Sequence, residues 1–327
     1  MNDNTLLFVL AFLFSLTLTV FVARLIIPYL QSRAEQPIYT EGPSWHISKS
    51  GTPTMGGISF LVSITLTLLL CALYKHLAGD KRDALSLLIC TAYALLNAAV
   101  GIVDDATKLK HRKNAGLTPR AKLILQFSLS ALFLLVRGYL LGEGAVISFK
   151  GNNINIGILY YLLSLIILVG ITNCANLTDG IDGLASSVAF AIGISVFYYS
   201  YGISDVASFI CACLSAGAIG FLVFNLHPAR VFMGDTGSLY LGALVAAVAF
   251  ELKNPFIAVI SGGVYVIEGI SVILQVLFYK LTKKRLFKMA PIHHHLEKCG
   301  WDENKICIVA MIITFTLSVG VTLLCRP

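Results

Sequence analysis

Long apolar runs separated by short polar segments dominate the chain, and they predict an all-α protein that crosses a membrane repeatedly. A helix needs about 20 apolar residues to cross the hydrocarbon core of a bilayer. Ten candidate runs lie near 5–27, 55–75, 84–103, 121–140, 158–175, 183–200, 206–224, 237–251, 257–282 and 305–325. The seventh and eighth are the least distinct, because the segment between them is short and partly apolar. An even number of spans places both termini on the same side.

One segment between the fourth and fifth runs has a different pattern. Residues 145–157 alternate apolar and polar side chains around a Lys-Gly-Asn-Asn sequence. Such alternation around a glycine-containing turn is typical of two short paired strands. The segment therefore predicts a small β-hairpin on the outer side of the membrane.

Composition agrees with this pattern. Of the 327 residues, 57% are hydrophobic and 13% are charged, whereas a soluble domain carries about 25% charged residues. A water-soluble globule is thereby excluded, and we expect a single integral membrane domain over 1–327. The eight cysteines include no Cys-x-x-Cys pair, so we expect neither a zinc site nor a disulfide framework.

The distribution of basic residues predicts an orientation. Most of the 24 lysines and arginines fall on one side of the ten spans if both termini lie outside. Cytoplasmic loops carry an excess of lysine and arginine. This bias places the loops near 104–122 and 283–305 in the cytoplasm.

Five aspartates lie at the cytoplasmic ends of three different apolar runs. Asp104 and Asp105 follow the third run, Asp179 and Asp182 follow the fifth, and Asp235 follows the seventh. Helix ends need polar residues and Asp-Gly is a common turn, so one such segment has an ordinary structural explanation. Three of them on a positively charged face favour a bound cation, and Mg²⁺ binds carboxylates together with substrate phosphates.

Glycine-rich segments lie at the same membrane face, at 50–57, 179–183 and 233–237. Glycine lets backbone N–H groups approach anionic oxygens, and helix N-termini attract phosphate. Thr54 adds a hydroxyl donor to the first segment. Each segment alone is also consistent with a simple helix entry, whereas together with the aspartates they indicate phosphoryl transfer.

Three consecutive histidines, 293–295, lie in the last cytoplasmic loop. Neighbouring residues on a helix point about 100° apart, so these side chains cannot all bind one zinc ion. We interpret them as a basic cluster that faces phosphate, with a polar interfacial loop as the alternative.

Glu268 is an acid within the ninth apolar run. About eleven residues at 1.5 Å each place it near the middle of the membrane. A buried membrane acid is a functional candidate by default. The other acids cluster at the cytoplasmic face, however, so we expect Glu268 to form a structural hydrogen bond with a neighbouring helix.

At the level of motifs, the chain resembles the bacterial phospho-N-acetylmuramoyl-pentapeptide-transferases of the polyprenyl-phosphate N-acetylhexosamine-1-phosphate transferase superfamily. The resemblance rests on SKSGTPTMGG, GIVDDATK, NLTDGIDGL, FNLHPARVFMGDTGSL and MAPIHHHLEKCGW. The aspartate motifs are those of the superfamily, whereas GTPTMGG and PIHHH resemble the muramoyl-pentapeptide branch.

This resemblance implies a reaction and its partners. Phospho-MurNAc-pentapeptide would move from UDP-MurNAc-pentapeptide to undecaprenyl phosphate, which releases UMP and forms lipid I for peptidoglycan. The resemblance also implies Mg²⁺ dependence, a homodimer in the bilayer of the bacterial plasma membrane, and no nucleic-acid partner. The active site would face the cytoplasm and be formed by loops near 33–54, 104–122, 173–183, 225–237 and 283–304.

The resemblance also implies roles for individual residues. Asp235 matches the Mg²⁺ ligand, Asp104 and Asp105 match a catalytic pair, and His294 is the catalytic member of the histidine motif. Substrate-binding roles are implied for Lys49, Thr54, Lys108, Lys122, Asn176, Asp179, Asp182, Asn225, Phe232, His293 and His295. Among these, Asp182 is expected to read uracil and Phe232 to stack on it.

Two mechanisms and two rival functions remain open from the sequence. A phosphate monoester has a second pKa near 6 and is mostly dianionic at pH 7, which favours direct in-line attack without a base over a covalent aspartyl-phosphate route. One rival is a sibling enzyme that uses UDP-GlcNAc. The other is a transporter, which would place acids at the membrane midplane.

Overall fold

Helices make up most of this computed structural model, which describes residues 3–33, 49, 51–111 and 116–325. The predicted site loop near 33–54 therefore lies largely outside the described residues, as do residues 112–115 of the loop near 104–122. The elements in chain order are α1 Asp3–Arg33, α2 Ile58–Leu77, α3 Lys81–His111, α4 Pro119–Leu141, β1 Val146–Phe149, β2 Asn152–Asn155, α5 Ile158–Thr178, α6 Leu184–Ser200, α7 Asp205–Asn225, α8 Gly234–Glu251, α9 Phe256–Ser261, α10 Gly263–Thr282, α11 Ile292–Glu297 and α12 Glu303–Cys325.

Eight of these helices are long and apolar enough to cross a membrane, namely α1, α2, α3, α4, α5, α7, α10 and α12. Seven of them coincide with a predicted span, and α10 covers most of the span predicted at 257–282. The other two predicted spans correspond to α6, with 17 residues, and α8, with 18 residues. Both are buried over most of their length. The fold is therefore that of a mostly helical integral membrane protein.

The ninth predicted span, 257–282, is wrong as a single helix. It is divided at Gly262, where α9 ends and α10 begins at Gly263. Two consecutive glycines weaken a helix because glycine loses the most backbone freedom on becoming helical. Glu268 lies in the second turn of α10.

The centre of the bundle is formed by α7 and α8. Every residue of α8 from Thr236 to Phe250 is buried, as expected for a helix that is apolar on all sides. α8 packs along α3 and α5, and α7 packs against α1 and α6. A Cβ atom at Gly242 would lie 2.8 Å from the Thr172 Cα atom, so this glycine lets α8 and α5 approach closely.

The predicted hairpin is confirmed as an antiparallel pair formed by β1 and β2. Lys150 and Gly151 at its turn both have positive φ angles, 49° and 76°, as a two-residue type I′ turn requires. The Ser148 N–H group donates to the Lys253 carbonyl oxygen at 2.8 Å. This bond ties the hairpin to the connection between α8 and α9.

A buried ion-pair network holds the same end of the bundle. The Arg137 side chain of α4 is 2% exposed and donates to both carboxylate oxygens of Glu143 at 2.7 Å. It also donates to Glu251 at 2.9 Å and to the Ser86 hydroxyl at 3.2 Å. Arg137 therefore joins α4 to α8 and α3.

Candidate active site

The end of α3 meets the start of α8 through Asp105. Its carboxylate accepts hydrogen bonds from the Asp235 N–H at 3.2 Å and from the Thr236 N–H and hydroxyl at 2.9 and 2.8 Å. These are N–H groups of a first helical turn, which have no partner within their own helix. The approach is close because a Cβ atom at Gly101 would lie 2.3 Å from the Asp235 carbonyl oxygen. Asp105 thus caps α8 and positions Asp235.

Asp104, the adjacent residue, faces a different set of partners. Its Oδ1 atom accepts from the Leu117 N–H at 2.8 Å. Its Oδ2 atom lies 2.7 Å from the Lys108 ammonium and 3.7 Å from that of Lys122. The two adjacent aspartates therefore have different partners. Asp105 contacts the first turn of α8, whereas Asp104 contacts the lysines.

Asp235 is held on both sides of its carboxylate. Its Oδ1 atom accepts from the Asn176 side-chain amide at 2.9 Å, and the same amide donates to the Ser238 hydroxyl at 2.8 Å. Its Oδ2 atom lies 3.1 Å from the Lys108 ammonium and also pairs with Lys122. Helices α3, α4 and α5 each contribute one partner to this carboxylate.

Asp104, Asp105 and Asp235, which we call the carboxylate cluster, can hold a metal ion. One oxygen from each lies within 4.8 Å of the other two. Hard divalent cations prefer such oxygens, and the Asp104 Oδ2 atom is a buried acceptor whose close neighbours are cations. The donor set fits a divalent ion, with Lys108 and Lys122 beside it.

Asp179 lies at the C-terminal end of α5, beside this cluster. Burial raises the pKa of Asp179 well above its usual range, and the negative charges of Asp235, Asp105 and Asp182 act in the same direction. A cation bound nearby would stabilise the ionised form of this carboxyl group.

A second group of charged residues surrounds Lys49 and Asp182. Asp182 is 3% exposed. Its Oδ1 atom accepts from the Lys49 ammonium at 2.8 Å, and its Oδ2 atom accepts from the Ala229 N–H at 3.0 Å and lies 2.9 Å from His227 Nδ1. The Lys49 ammonium also donates to Glu303 at 2.7 Å. We call Lys49, Asp182, His227 and Glu303 the Lys49 network.

The carboxylate cluster and the Lys49 network flank the same helix end. Asn176, in the last turn of α5, contacts Asp235, whereas Asp182 follows in the turn that leads to α6. Lys108 and Lys122 pair with Asp235, and Lys49 pairs with Asp182.

Asn225 at the end of α7 is buried, and both polar atoms of its side chain have a partner within the protein. Its Oδ1 atom accepts from the Gly183 N–H at 3.1 Å, and its amide donates to the Val231 carbonyl oxygen at 3.0 Å. It therefore joins the turn after α5 to the segment before α8.

Phe232 is half-buried in the segment that precedes α8. Its N–H group donates to the Pro53 carbonyl oxygen, and its own carbonyl oxygen accepts from the Gly56 N–H, both at 2.8 Å. Thr54, between these two partners, is 5% exposed and packs against Gly234. The glycine-rich segment is thus paired with the segment that carries Phe232.

The three histidines lie in α11, and each imidazole ring contacts a different residue. His293 is fully buried, with Nδ1 3.1 Å from a Glu268 carboxylate oxygen. His294 Nδ1 lies 2.6 Å from Glu297, and His295 Nδ1 accepts from the Lys288 N–H at 3.1 Å.

Glu268 connects α10 to this short helix. Its carboxylate also accepts from the His293 N–H at 3.3 Å, so its partner is on a neighbouring helix, as the sequence indicated. A Cβ atom at Gly180 would lie 2.2 Å from His293 Nε2. The buried imidazole therefore packs directly on the turn between Asp179 and Asp182.

The sequence reasoning missed two members of the Lys49 network. His227 and Glu303 lie in segments already singled out, but no motif marks either as a partner of Lys49. Glu303 begins the last helix, 254 positions from Lys49 in the chain. A single sequence carries no signal of such a pairing.

Comparison with known proteins identifies related sequences. Residues 85–253 match the family model described as Glycosyl transferase family 4, and residues 49–61 match Phospho-N-acetylmuramoyl-pentapeptide-transferase signature 1. The chain is 44% identical to the phospho-N-acetylmuramoyl-pentapeptide-transferase of Clostridium botulinum (strain Eklund 17B / Type B) over 292 residues, 87% of this chain and 86% of that protein. It is 42% identical to the protein of the same name from Bacillus cereus (strain AH187) over 322 residues, 94% of each chain. A third, from Clostridium kluyveri (strain NBRC 12016), is 38% identical over 314 residues, 93% of this chain and 96% of that one.

Proposed function

The chain belongs to the phospho-N-acetylmuramoyl-pentapeptide-transferase family, and from that membership we propose the reaction it catalyses. It transfers phospho-MurNAc-pentapeptide from UDP-MurNAc-pentapeptide to undecaprenyl phosphate, releasing UMP and forming lipid I for peptidoglycan. The observation that supports this function best is the pair of charged centres at the end of α5. The carboxylate cluster with Lys108 and Lys122 lies on one side, and the Lys49 network lies on the other.

In this proposal the carboxylate cluster holds Mg²⁺, with Asp235 as its principal ligand. Mg²⁺ bound there supplies charge neutralisation for the substrate phosphates. Asp104 offers a buried oxygen to the same ion. Asp105, whose oxygens accept from the first turn of α8, contributes mainly by holding Asp235 in place.

The lysines of the site offset the repulsion between two anions. The acceptor phosphate and the diphosphate of the donor are both negatively charged, and Lys108 and Lys122 place ammonium groups where the two meet. Because the acceptor is already mostly dianionic at pH 7, direct in-line attack needs no proton removal by Asp104. A covalent aspartyl-phosphate is the alternative, and retention of configuration at phosphorus would select it.

The nucleotide end of the donor is assigned to the segments around the Lys49 network. Phe232 is the aromatic surface for uracil, with Thr54 and Asn225 shaping the segment that presents it. Both Asp182 oxygens already accept hydrogen bonds. Asp182 therefore reads uracil by sharing an oxygen that also holds Lys49 or the Ala229 N–H.

The histidine motif is assigned to the substrate side of the same turn. His293 packs on Gly180, which places α11 against the segment between Asp179 and Asp182. His294 and His295 continue this helix beside the site, and we assign His294 a catalytic role and the other two a binding role.

We further propose ten spans with both termini outside, in the bacterial plasma membrane. α6 and α8 are short for spans, but both are enclosed by longer helices, and α9 and α10 together complete the ninth crossing. The basic loops then place the active site in the cytoplasm. A homodimer is proposed by family resemblance alone.

The test is a two-substrate assay on the purified protein in detergent. UDP-MurNAc-pentapeptide and UDP-GlcNAc are each supplied with undecaprenyl phosphate, with and without Mg²⁺, and UMP and lipid products are measured. Mg²⁺-dependent UMP release with the muramoyl substrate alone supports the proposal. UMP release with UDP-GlcNAc alone identifies the sibling enzyme, and no UMP release from either substrate excludes the transferase.

A further inference from the structure

Glu303, the first residue of α12, contacts three separate segments through one carboxylate. Its Oε2 atom accepts from the Lys49 ammonium at 2.7 Å and from the Asp182 N–H at 2.8 Å. Its Oε1 atom lies 3.5 Å from His227 Nδ1. The side chain is only 10% exposed, so these contacts are made with little competition from water.

Lys49 joins the acids of this group into an ion-pair network. Asp182, His227 and Glu303 place ligand atoms within 4.8 Å of one another. The Lys49 ammonium, however, lies within 2.8 Å of both carboxylates and neutralises them.

The geometry also determines what Lys49 can still bind. An ammonium group has three N–H donors, and two of them point to Asp182 and Glu303. The side chain is 14% exposed, and no described residue accepts from its third donor, which an anion that reaches the site can use. Two fixed carboxylates hold a flexible lysine in one orientation more firmly than one can.

Glu303 also acts on Asp182 by a second route. By accepting from the Asp182 N–H, it holds the backbone of the turn between α5 and α6. A buried N–H group that loses its acceptor costs about 1–3 kcal/mol. The same carboxylate thus holds both the cation and the acid of the nucleotide end.

We infer that Glu303 is a positioning residue for UDP-sugar binding, which it serves by orienting Lys49 toward the substrate's anionic oxygens and by holding Asp182. The inference rests on the proposed function, because it assigns the Lys49 network to the nucleotide end of the donor. In this role Glu303 touches neither the reacting phosphates nor the carboxylate cluster. Its loss should weaken donor binding and leave the chemical step nearly unchanged.

The experiment compares Glu303→Gln and Glu303→Asp with the matched control Asp302→Asn. Glutamine keeps an acceptor for the Asp182 N–H but removes the charge that holds Lys49. Aspartate keeps the charge on a shorter side chain. Asp302 is exposed and caps α12 through the Lys305 N–H, and asparagine preserves such a cap.

Glu303→Gln is expected to raise KM for UDP-MurNAc-pentapeptide at least about tenfold, with kcat within about threefold and KM for undecaprenyl phosphate unchanged. Glu303→Asp should restore part of the loss, and Asp302→Asn should match the parent protein. Lys49→Met should raise the donor KM as well. Combined with Glu303→Gln it should add little, because the two residues act as one unit.

Binding of UMP, followed by titration calorimetry on each purified variant, provides a readout that does not require turnover. UMP affinity should fall for Glu303→Gln in parallel with the rise in KM. An unchanged donor KM in a folded Glu303→Gln variant overturns the inference. The inference is also overturned if kcat falls and both KM values rise in proportion to a lowered thermal unfolding midpoint. If the glutamine variant does not fold, the same comparison is made with Glu303→Asp. If the parent protein binds UMP but forms no lipid I, the proposed function fails, while the binding comparison still tests Glu303.

Discussion

The carboxylate of Asp105 holds the backbone of Asp235, accepting its N–H at 3.2 Å through the Oδ1 atom. The neighbouring Thr236 N–H is bound by the other oxygen of the same carboxylate at 2.9 Å. An acid from one helix therefore caps the first turn of another and places that helix's own acid in the carboxylate cluster. The two adjacent aspartates of α3 are therefore not equivalent, because Asp105 caps α8 whereas Asp104 pairs with Lys108.

Two substitutions of Asp105 should distinguish the effect of its helix cap from the effect of its negative charge. Asp105→Ala and Asp105→Asn both remove the negative charge, but only asparagine keeps an oxygen acceptor for the first turn of α8. We expect the alanine variant to be less stable than the asparagine variant by about 1 kcal/mol, the usual value of an N-cap. Thermal unfolding in detergent measures the difference. The same pair of substitutions at Asp104 should differ less, because that side chain caps no helix, and equal stability of the two Asp105 variants would contradict the capping role.

Asp235→Asn should abolish activity together with its dependence on Mg²⁺. The substitution removes the charge that faces Lys108 and Lys122 and the acidic oxygen assigned to the metal. Loss of one preorganised electrostatic contact at a reacting centre costs about 10²–10³ in kcat. Initial rates measured over a range of Mg²⁺ concentrations test this. A fully active Asp235→Asn variant would remove the metal assignment.

Chelation should stop turnover without unfolding the protein. The carboxylate cluster is already compensated by two ammonium groups, so the fold does not need the metal ion. EDTA is expected to eliminate UMP release while leaving the thermal unfolding midpoint nearly unchanged, and added Mg²⁺ should restore the rate. Persistent activity in EDTA after dialysis would refute a metal requirement.

Asp182→Asn should mainly raise KM for the donor nucleotide, by about tenfold, with kcat changed less than about threefold. The carboxylate accepts hydrogen bonds on both oxygens, from Lys49 and from the Ala229 N–H. Asparagine has an NH2 group in place of one carboxylate oxygen, and this group cannot accept a hydrogen bond. The contact with either Lys49 or the Ala229 N–H must therefore be lost. Steady-state kinetics with each substrate varied separately provide the measurement. A fall in kcat at unchanged donor KM would place Asp182 in the chemical step instead.

Arg137→Met should destabilise the protein by about 3–5 kcal/mol, because it leaves the buried carboxylates of Glu143 and Glu251 without their cation. The network lies at the hairpin end of the bundle, away from the carboxylate cluster. Activity per folded molecule should therefore be retained at low temperature. Arg82→Met is the matched control, since Arg82 is 59% exposed and lies 3.8 Å from Glu143. An inactive but stable Arg137→Met variant would contradict this separation.

The membrane fold is predicted from the sequence because its cause is local. A run of apolar residues long enough to cross a bilayer becomes a helix wherever it occurs, since lipid offers no partner for backbone N–H and C=O groups. The predicted span 158–175 accordingly lies within α5, and the alternating segment 145–157 contains the hairpin. The aspartates at the ends of three apolar runs were likewise visible in the sequence, and the family resemblance implies a bound Mg²⁺.

Contacts between distant segments were decided by the tertiary structure alone. The cap formed by Asp105 on α8 and the pairing of Lys49 with Glu303 depend on which helices pack together. Hydropathy is a property of each segment by itself, whereas these interactions require two surfaces to meet within hydrogen-bond distance. Sequence patterns do not specify which surfaces come into contact. The different roles of Asp104 and Asp105 could therefore be found only from the tertiary structure.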